Sequence, residues 1–406
     1  MNPFTLRELS TEAGGTDLAA LYEVDMAAFG YDLPEDFRTE LTQPEIDTMT
    51  VIGCFDGAEL VSAGAFRPNL LTLPGPRQAP VASVTWVGVR PGYRRRGLLR
   101  RMMTHQLTDL HEKSERALAI LTASESAIYG RFGYGQAISR MRLTVPRGST
   151  LRMPASDTAV REVPRAIALD GIRELYERVA PGQPGFLDRA PSTWPLLTND
   201  HAEIRRGAST LRFAVHPDGY ACYRWKDNWT DRGPRHTVEV TELITATPQA
   251  RTDLWDYLLN LDLAGEISYR MAGVDETLQD LLTDPRALQA QICDLVWLRI
   301  VDLDRAVGLR TYSADARVRV GVTDTVCPWN DGTWELDLST AGGQATRTDR
   351  EPEIELSAAD LAAAFLGGTA VARLRAAGLV GGDPEAVARL SLALRTPTAP
   401  WCPESF

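Results

Sequence analysis

Val84-Thr85-Trp86-Val87-Gly88-Val89-Arg90-Pro91-Gly92-Tyr93-Arg94-Arg95-Arg96-Gly97-Leu98-Leu99-Arg100-Arg101 is the stretch that decides the fold. An apolar strand ends, a turn carries three consecutive arginines and a glycine, and a helix opens. Leu99, Met103, Leu107 and Leu110 then recur at helical spacing. The first amides of such a helix lack intrahelical acceptors, and the helix dipole adds positive potential. Gly97 lets a ligand approach the backbone closely. Guanidinium groups beside it can clamp phosphate bidentately. The turn therefore reads as an anion site, and a pyrophosphate is the natural fit. An arginine run alone is equally a solvated helix start; the apolar strand before it and the glycine after it favour phosphate.

Working outward, Leu18 to Phe29 predicts a helix with Leu18, Leu21, Tyr22 and Met26 on one face. Val51 to Phe55 and Leu60 to Phe66 predict strands around an Asp56-Gly57 turn. Val81 to Val89 is a third strand, and Leu118 to Leu121 suits a buried parallel one. Arg147 to Pro164 has no apolar period and reads as a linker. Beyond it the same order recurs. Ile172 to Val179 is helical, Arg212 to Val215 and Tyr220 to Trp225 flank a turn, Val238 to Ile244 is a strand, and Arg251 to Leu261 is a helix. No Arg/Gly loop follows that strand. A third region opens with Leu295 to Ile300. Strands follow at Val318 to Val322, Thr333 to Leu338 and Ile354 to Leu356. Helices close the chain at Ser357 to Leu366, Ala370 to Ala377 and Pro384 to Leu392, with Ser357 and Asp383 as N-caps.

The 406 residues are enough for two or three domains, and 44 % apolar with 24 % charged residues is ordinary globular composition. A disordered chain and a disulfide mini-scaffold are excluded. The net charge of −11 disfavours nucleic acid and anionic membranes and favours a cationic partner. The five cysteines are scattered and the five histidines lack metal spacing, so no metal is expected. With no apolar run long enough to span a bilayer and no secretory pattern at Met1 to Thr5, a reducing cytoplasm is the expectation.

A second segment is Ser124-Glu125-Ser126-Ala127-Ile128-Tyr129-Gly130-Arg131-Phe132-Gly133-Tyr134-Gly135. Arg-x-x-Gly-x-(Gly/Ala) after a strand is the acetyl-CoA signature of the GNAT N-acetyltransferases, here Arg94-Arg95-Arg96-Gly97-Leu98-Leu99. Together with the second segment and a chain ending in Phe406, it resembles the Eis (enhanced intracellular survival) acetyltransferases. The motifs cover about 55 residues tightly, and length and layout agree over the rest. The resemblance implies an α/β and α+β chain. Residues 1–148 form a GNAT domain that binds acetyl-CoA, residues 160–290 a second GNAT-like domain without the cofactor loop, and residues 291–406 a sterol-carrier-protein-like α+β domain. Each GNAT-like unit is a mixed sheet flanked by helices. It also implies a homohexamer of two face-to-face trimers, and direct acetyl transfer to primary amines, often several on one polyamine or aminoglycoside-like substrate.

On this resemblance, Val87, Gly88 and Val89 offer backbone groups to the acetyl carbonyl and the pantetheine arm. Arg94, Arg95, Arg96, Gly97, Leu98, Leu99 and Arg100 hold the pyrophosphate, and Ser124 and Glu125 border the cofactor. Tyr129 hydrogen-bonds the departing sulfur. A phenol of pKa ~10 against a thiol of ~8.5 makes full proton transfer uphill by roughly 2 kcal/mol, so Tyr129 acts first as a donor. The carboxylate of Phe406 is carried into the site as the base that accepts the amine proton, anchored by its ring, with Trp401 and Pro403 stiffening the tail. Asp32, Glu35, Asp36, Trp86 and Glu404 are the expected substrate contacts, although a solvated acidic loop explains the first three equally well. Ser405 stands where relatives can carry an acidic residue. The rival readings are a protein-lysine N-acetyltransferase and a lipid- or sterol-type binding protein with a vestigial transferase half.

Overall fold

The computed structural model describes residues 4–75 and 77–406. The first half contributes β1 (Phe4–Glu8), α1 (Thr16–Phe29), β2 (Thr50–Asp56), β3 (Glu59–Leu73), β4 (Arg77–Val89), α2 (Leu98–Lys113), β5 (Leu118–Thr122) and β6 (Gly135–Pro146). The second half repeats the series with β7 (Arg161–Val163), α3 (Arg165–Val179), β8 (Arg212–His216), β9 (Gly219–Lys226), β10 (His236–Thr245), α4 (Pro248–Leu259), β11 (Ala264–Gly273) and β12 (Gln289–Ile300). All twelve strands form one sheet in the order β1-β2-β3-β4-β5-β12-β6-β11-β10-β9-β8-β7.

That order reads the same from either edge. In each half the fourth and fifth strands run parallel, joined by a helix. The last strands are exchanged: β12 lies antiparallel to β5, and β6 lies antiparallel to β11. The third region, read from sequence as starting at residue 291, therefore starts inside a strand of the large sheet. Leu295 to Ile300 belong beside β5 and not to the C-terminal sheet. The linker stretch also differs, because Arg161–Val163 pairs with β8 as an edge strand. The helix after it begins at Arg165, directly behind Pro164.

The halves part where the site forms. β4 pairs with β5 only from Val81↔Leu118 to Val84↔Leu121, then runs on to Val89 paired with β3 alone. β3 and β4 shift register between Ala63 and Ala65, where Trp86 takes a positive φ of 54°. This bulge turns the end of β4 away from β5. β10 and β11 part in the same way after Val240↔Tyr269, next to a register shift at Val240/Glu242. α2 packs Met103, Leu107 and Leu110 on one face of the sheet, against Val84, Ala119 and Leu121. α1 packs Leu18, Leu21, Tyr22 and Val24 on the other. Each such side chain, fully buried, is worth about 1.5–3 kcal/mol.

The C-terminal domain has a five-stranded sheet with β13 (Ala316–Thr323), β14 (Gly332–Ser339), β15 (Gly342–Arg347), β16 (Ile354–Ser357) and β17 (Gly381–Gly382), in the order β15-β14-β13-β16-β17. A short helix at Leu303–Val307 opens it, and α5 (Ala358–Phe365), α6 (Val371–Ala376) and α7 (Pro384–Leu394) follow. Ser357 and Asp383 cap α5 and α7 by accepting the amides of Asp360 and Ala386. One continuous core joins this domain to Leu71, Leu73, Val81 and Ile120 of the first half and to Leu298 of β12.

Candidate active site

The divergence of β4 from β5 leaves a cavity of about 290 Å³. Trp86 and Val87 line it from the bulge, Thr122 and Ser124 from the end of β5, and Tyr129 and Phe406 close it. Asp25 at the end of α1 faces the same space, with Tyr31. A second cavity of about 120 Å³ adjoins it, shares Thr85, Trp86 and Phe406 with the first, and is also lined by Glu45, Arg67, Ser83, Thr193 and Glu404.

Tyr129 stands on the turn Ser126–Phe132, edge-on to Tyr134 with centroids 6.0 Å apart. Burial raises the pKa of its hydroxyl, and the charge of Glu125 adds to this. The phenol is therefore held protonated, as a donor requires. Phe406 is fixed by Thr122, whose hydroxyl accepts from the Phe406 amide at 3.2 Å and donates to one oxygen of its terminal carboxylate. Tyr134, deeper in the core, is fully buried with its hydroxyl unpartnered and serves packing.

At the phosphate side, Arg95 and Gly97 both take left-handed backbone, with φ of 63° and 80°. Gly97 is the N-cap of α2 without a side-chain cap, so the amides of its first turn stay available. Leu98 is buried under the helix start, while Arg95, Arg96 and Arg100 are exposed. Arg94 is committed elsewhere: it donates to the Ala28 carbonyl at 2.7 Å and ties the loop to α1. The arrangement fits acetyl-CoA, with an uncapped helix start and exposed guanidinium groups at one end and a protonated phenol at the other. In the second half the equivalent helix start is closed, because Thr247 caps the Ala250 amide and Pro248 has no N–H.

Of the side-chain carboxylates the sequence suggested, Glu404 lines a cavity and Asp32, Glu35 and Asp36, all exposed, do not. Asp36 accepts from His201 at 3.2 Å, which holds its carboxyl below the usual range. Glu404 is buried but fully engaged: it contacts Arg189 at 2.9 Å, Arg67 at 3.5 Å and the Tyr176 hydroxyl at 3.3 Å. Asp25 and Glu45, which the sequence did not suggest, also line the cavities. Asp25 is 5 % exposed and hydrogen-bonded by Tyr31, and burial pushes its pKa up to about 6. Glu45 pairs with Arg67 at 2.6 Å through one oxygen; the other has no partner, nor do the Ser83 and Thr193 hydroxyls beside it. Neither carboxylate carries a sequence signal, since each stands in a helical stretch with other acidic residues nearby and no motif around it.

Three family models match in succession, as the layout requires. Acetyltransferase (GNAT) domain models match residues 11–137 and 185–300, and a sterol carrier protein domain model matches residues 303–403. An N-acetyltransferase of Streptomyces avermitilis is 36 % identical over 401 residues, covering 95 % of this chain and 96 % of its own. The N-acetyltransferase Eis of Mycobacterium tuberculosis is 34 % identical over 359 residues, covering 85 % of each chain. The crystal structure of Eis1 from Mycobacterium abscessus superposes with a TM-score of 0.85 at 32 % identity, covering 99 % of this chain and all of that one. A GCN5-related N-acetyltransferase from Anabaena variabilis shares the fold at a TM-score of 0.83 and 19 % identity, over 99 % of this chain and 100 % of its own. The chain is an N-acetyltransferase, and identity of this extent, carried through both GNAT-like halves and the third domain, places it in the Eis family.

Proposed function

We propose that the chain transfers acetyl from acetyl-CoA directly to a primary amine of a polycationic substrate, aminoglycoside-like or a polyamine, within a ternary complex. The observation that carries this is the meeting of Trp86, Tyr129, Phe406 and Asp25 around one cavity at the parting of β4 and β5. Gly97, the amides of Leu98, Leu99 and Arg100, and the side chains of Arg95 and Arg96 take the pyrophosphate. Arg94 holds the loop for them. Val87, Gly88 and Val89 present backbone to the pantetheine arm and acetyl oxygen; Ser124 and Glu125 flank the thioester.

The amine nitrogen attacks the thioester carbonyl carbon, whose electrons move onto oxygen beside the β4 backbone. As the C–S bond breaks, Tyr129 donates a hydrogen bond to the departing thiolate, and it passes its proton to the sulfur only as water returns one to the phenol. The new C–N bond leaves a proton on nitrogen, and the Phe406 carboxylate accepts it. Asp25 and the free oxygen of Glu45 hold further ammonium groups of the same substrate, one in each cavity. Asp32, Glu35 and Asp36 act at longer range from the surface. The family resemblance also supports a homohexamer, which would sediment at six times the 44.6 kDa chain mass, and a cytoplasmic location.

Thiol release from acetyl-CoA with a panel of mono-, di- and triamines tests the reading. Triamines should be preferred, and the preference should weaken with salt. Tyr129→Phe keeps the ring and removes the donor. Turnover should fall at least about tenfold with acetyl-CoA affinity near normal, because the bond strengthens as charge develops. A Tyr129→Phe protein of full activity, or a chain that turns over only lysine-bearing peptides, would refute the assignment.

A further inference from the structure

The second half has a parting of strands like the first, and the C-terminal tail fills it. Trp401 lies between the end of β11 and the loop Pro184–Phe186 that follows α3. Its indole nitrogen donates to the Met271 carbonyl at 2.8 Å, and its backbone amide donates to the Pro184 carbonyl at 2.8 Å. Its ring stands edge-on to Phe186, with centroids 5.1 Å apart. Two glycines make the space. A Cβ at Gly273 would lie 3.2 Å from the Trp401 ring, and one at Gly185, whose φ is +98°, would lie 2.6 Å from the Trp401 carbonyl.

In the sheet's internal symmetry β11 corresponds to β5, and α3 corresponds to α1. The end of β5 and the residues around the end of α1 line the candidate active site through Thr122 and Tyr31, and Phe406 stands between them. Trp401 therefore occupies in the second half the place that Phe406 occupies in the first, five residues earlier on the same tail. Cys402, Pro403 and Glu404 between them are buried, and Glu404 bridges Arg67 of the first half to Arg189 of the second.

We infer that the second half, closed to cofactor, serves as a socket: its unused cleft grips Trp401 and thereby sets where the Phe406 carboxylate stands in the first half. This rests on the reading of that carboxylate as proton acceptor. Trp401 touches no reacting atom and is a positioning residue. Misplacing a reacting group by an ångström costs about a hundredfold in rate. Trp401→Ala should lower turnover by that order while acetyl-CoA affinity stays unchanged, and the acid limb of the pH–rate profile should flatten. Trp401→Phe keeps a ring and loses one hydrogen bond, so its turnover should stay within about tenfold of wild type.

Release of Phe406 by carboxypeptidase A gives a readout independent of turnover. The wild-type tail should resist, the alanine variant should lose Phe406 rapidly, and the phenylalanine variant should fall between. Unchanged turnover and unchanged Phe406 release in Trp401→Ala would overturn the socket. Where the alanine variant does not fold, Trp401→Phe decides: identity with wild type in both measurements overturns it. A chain extended by three residues beyond Phe406 probes the reading underneath. Full turnover of that protein, with rapid release from Trp401→Ala, would remove the base assignment and leave the socket standing.

Discussion

Asp25 shows how a single side chain can matter to the site without marking itself in sequence. It lies in an apolar helix, among residues that read as a buried face, and only the fold turns it toward the cavity. Tyr129 and Phe406 were legible because a motif and a terminus singled them out. Asp25 and Glu45 were not, because a carboxylate outside any motif looks the same whether it meets solvent or a cavity. Burial raises the Asp25 pKa from 3.8 to about 6, so the folded chain prefers the protonated acid. The cost of ionising it is absent below pH 3.8 and complete above about 6. Stability should therefore decline as pH rises through that window, by at most about 3 kcal/mol. Asp25→Asn should remove the slope and melt at a higher temperature than wild type at pH 7, with equal melting at pH 4. The ionised form is the one that attracts an ammonium. Diamine affinity in the wild type should thus weaken below pH 6, up to about tenfold per unit, and calorimetry of the asparagine variant should show a weak, flat dependence. A steep pH dependence that survives in Asp25→Asn would assign the titration to another group.

The strand β4, its turn and α2 form the element that sequence reading resolved best. Strand, arginines, glycine and amphipathic helix stand where expected, and Gly97 and Arg95 have the left-handed backbone that such a turn demands. What the pattern could not divide is labour among three adjacent arginines. All three are exposed, but Arg94 donates to the Ala28 carbonyl, whereas Arg96 lies against Tyr93 at 4.9 Å. Arg95→Ala or Arg96→Ala should each weaken acetyl-CoA binding by about 10–100-fold, the worth of a charged bidentate contact, and leave turnover at saturation unchanged. Arg94→Ala should instead lower thermal stability, because it frees the loop from α1. Calorimetry beside thermal melts separates the two, and equal effects at all three positions would contradict the division. The second segment divides similarly. Tyr129 faces the cavity, but Gly135 serves packing: a Cβ there would stand 1.9 Å from the Ala359 carbonyl in α5. A run that reads as one cofactor motif thus ends as the seat of the C-terminal domain.

At the scale of the molecule, pairing between distant strands was the part least visible in the sequence. Each half shows its own strands and helices by periodicity, but exchange of β6 and β12 depends on which neighbour a strand meets, and local pattern is silent on that. The Leu295 to Ile300 run read as the opening of a third domain because it follows a break; its partner is β5, more than 170 residues earlier. The exchange has an energetic consequence. β12 is chain from the second half, it completes the first half's sheet, and its Leu298 is buried in the core shared with the C-terminal domain. None of the three units buries its apolar surface alone, so they should unfold together. Calorimetry of the wild type should give one endotherm, whose calorimetric and van't Hoff enthalpies agree for the cooperative unit. Leu298→Ala removes a fully buried side chain from that junction and should cost about 2–5 kcal/mol. Its signature should be a downward shift of the whole endotherm, with acetyl-CoA binding lost at the same temperature. Two resolved endotherms, only one of them moved by Leu298→Ala, would show that the halves keep separate stabilities despite the exchanged strands.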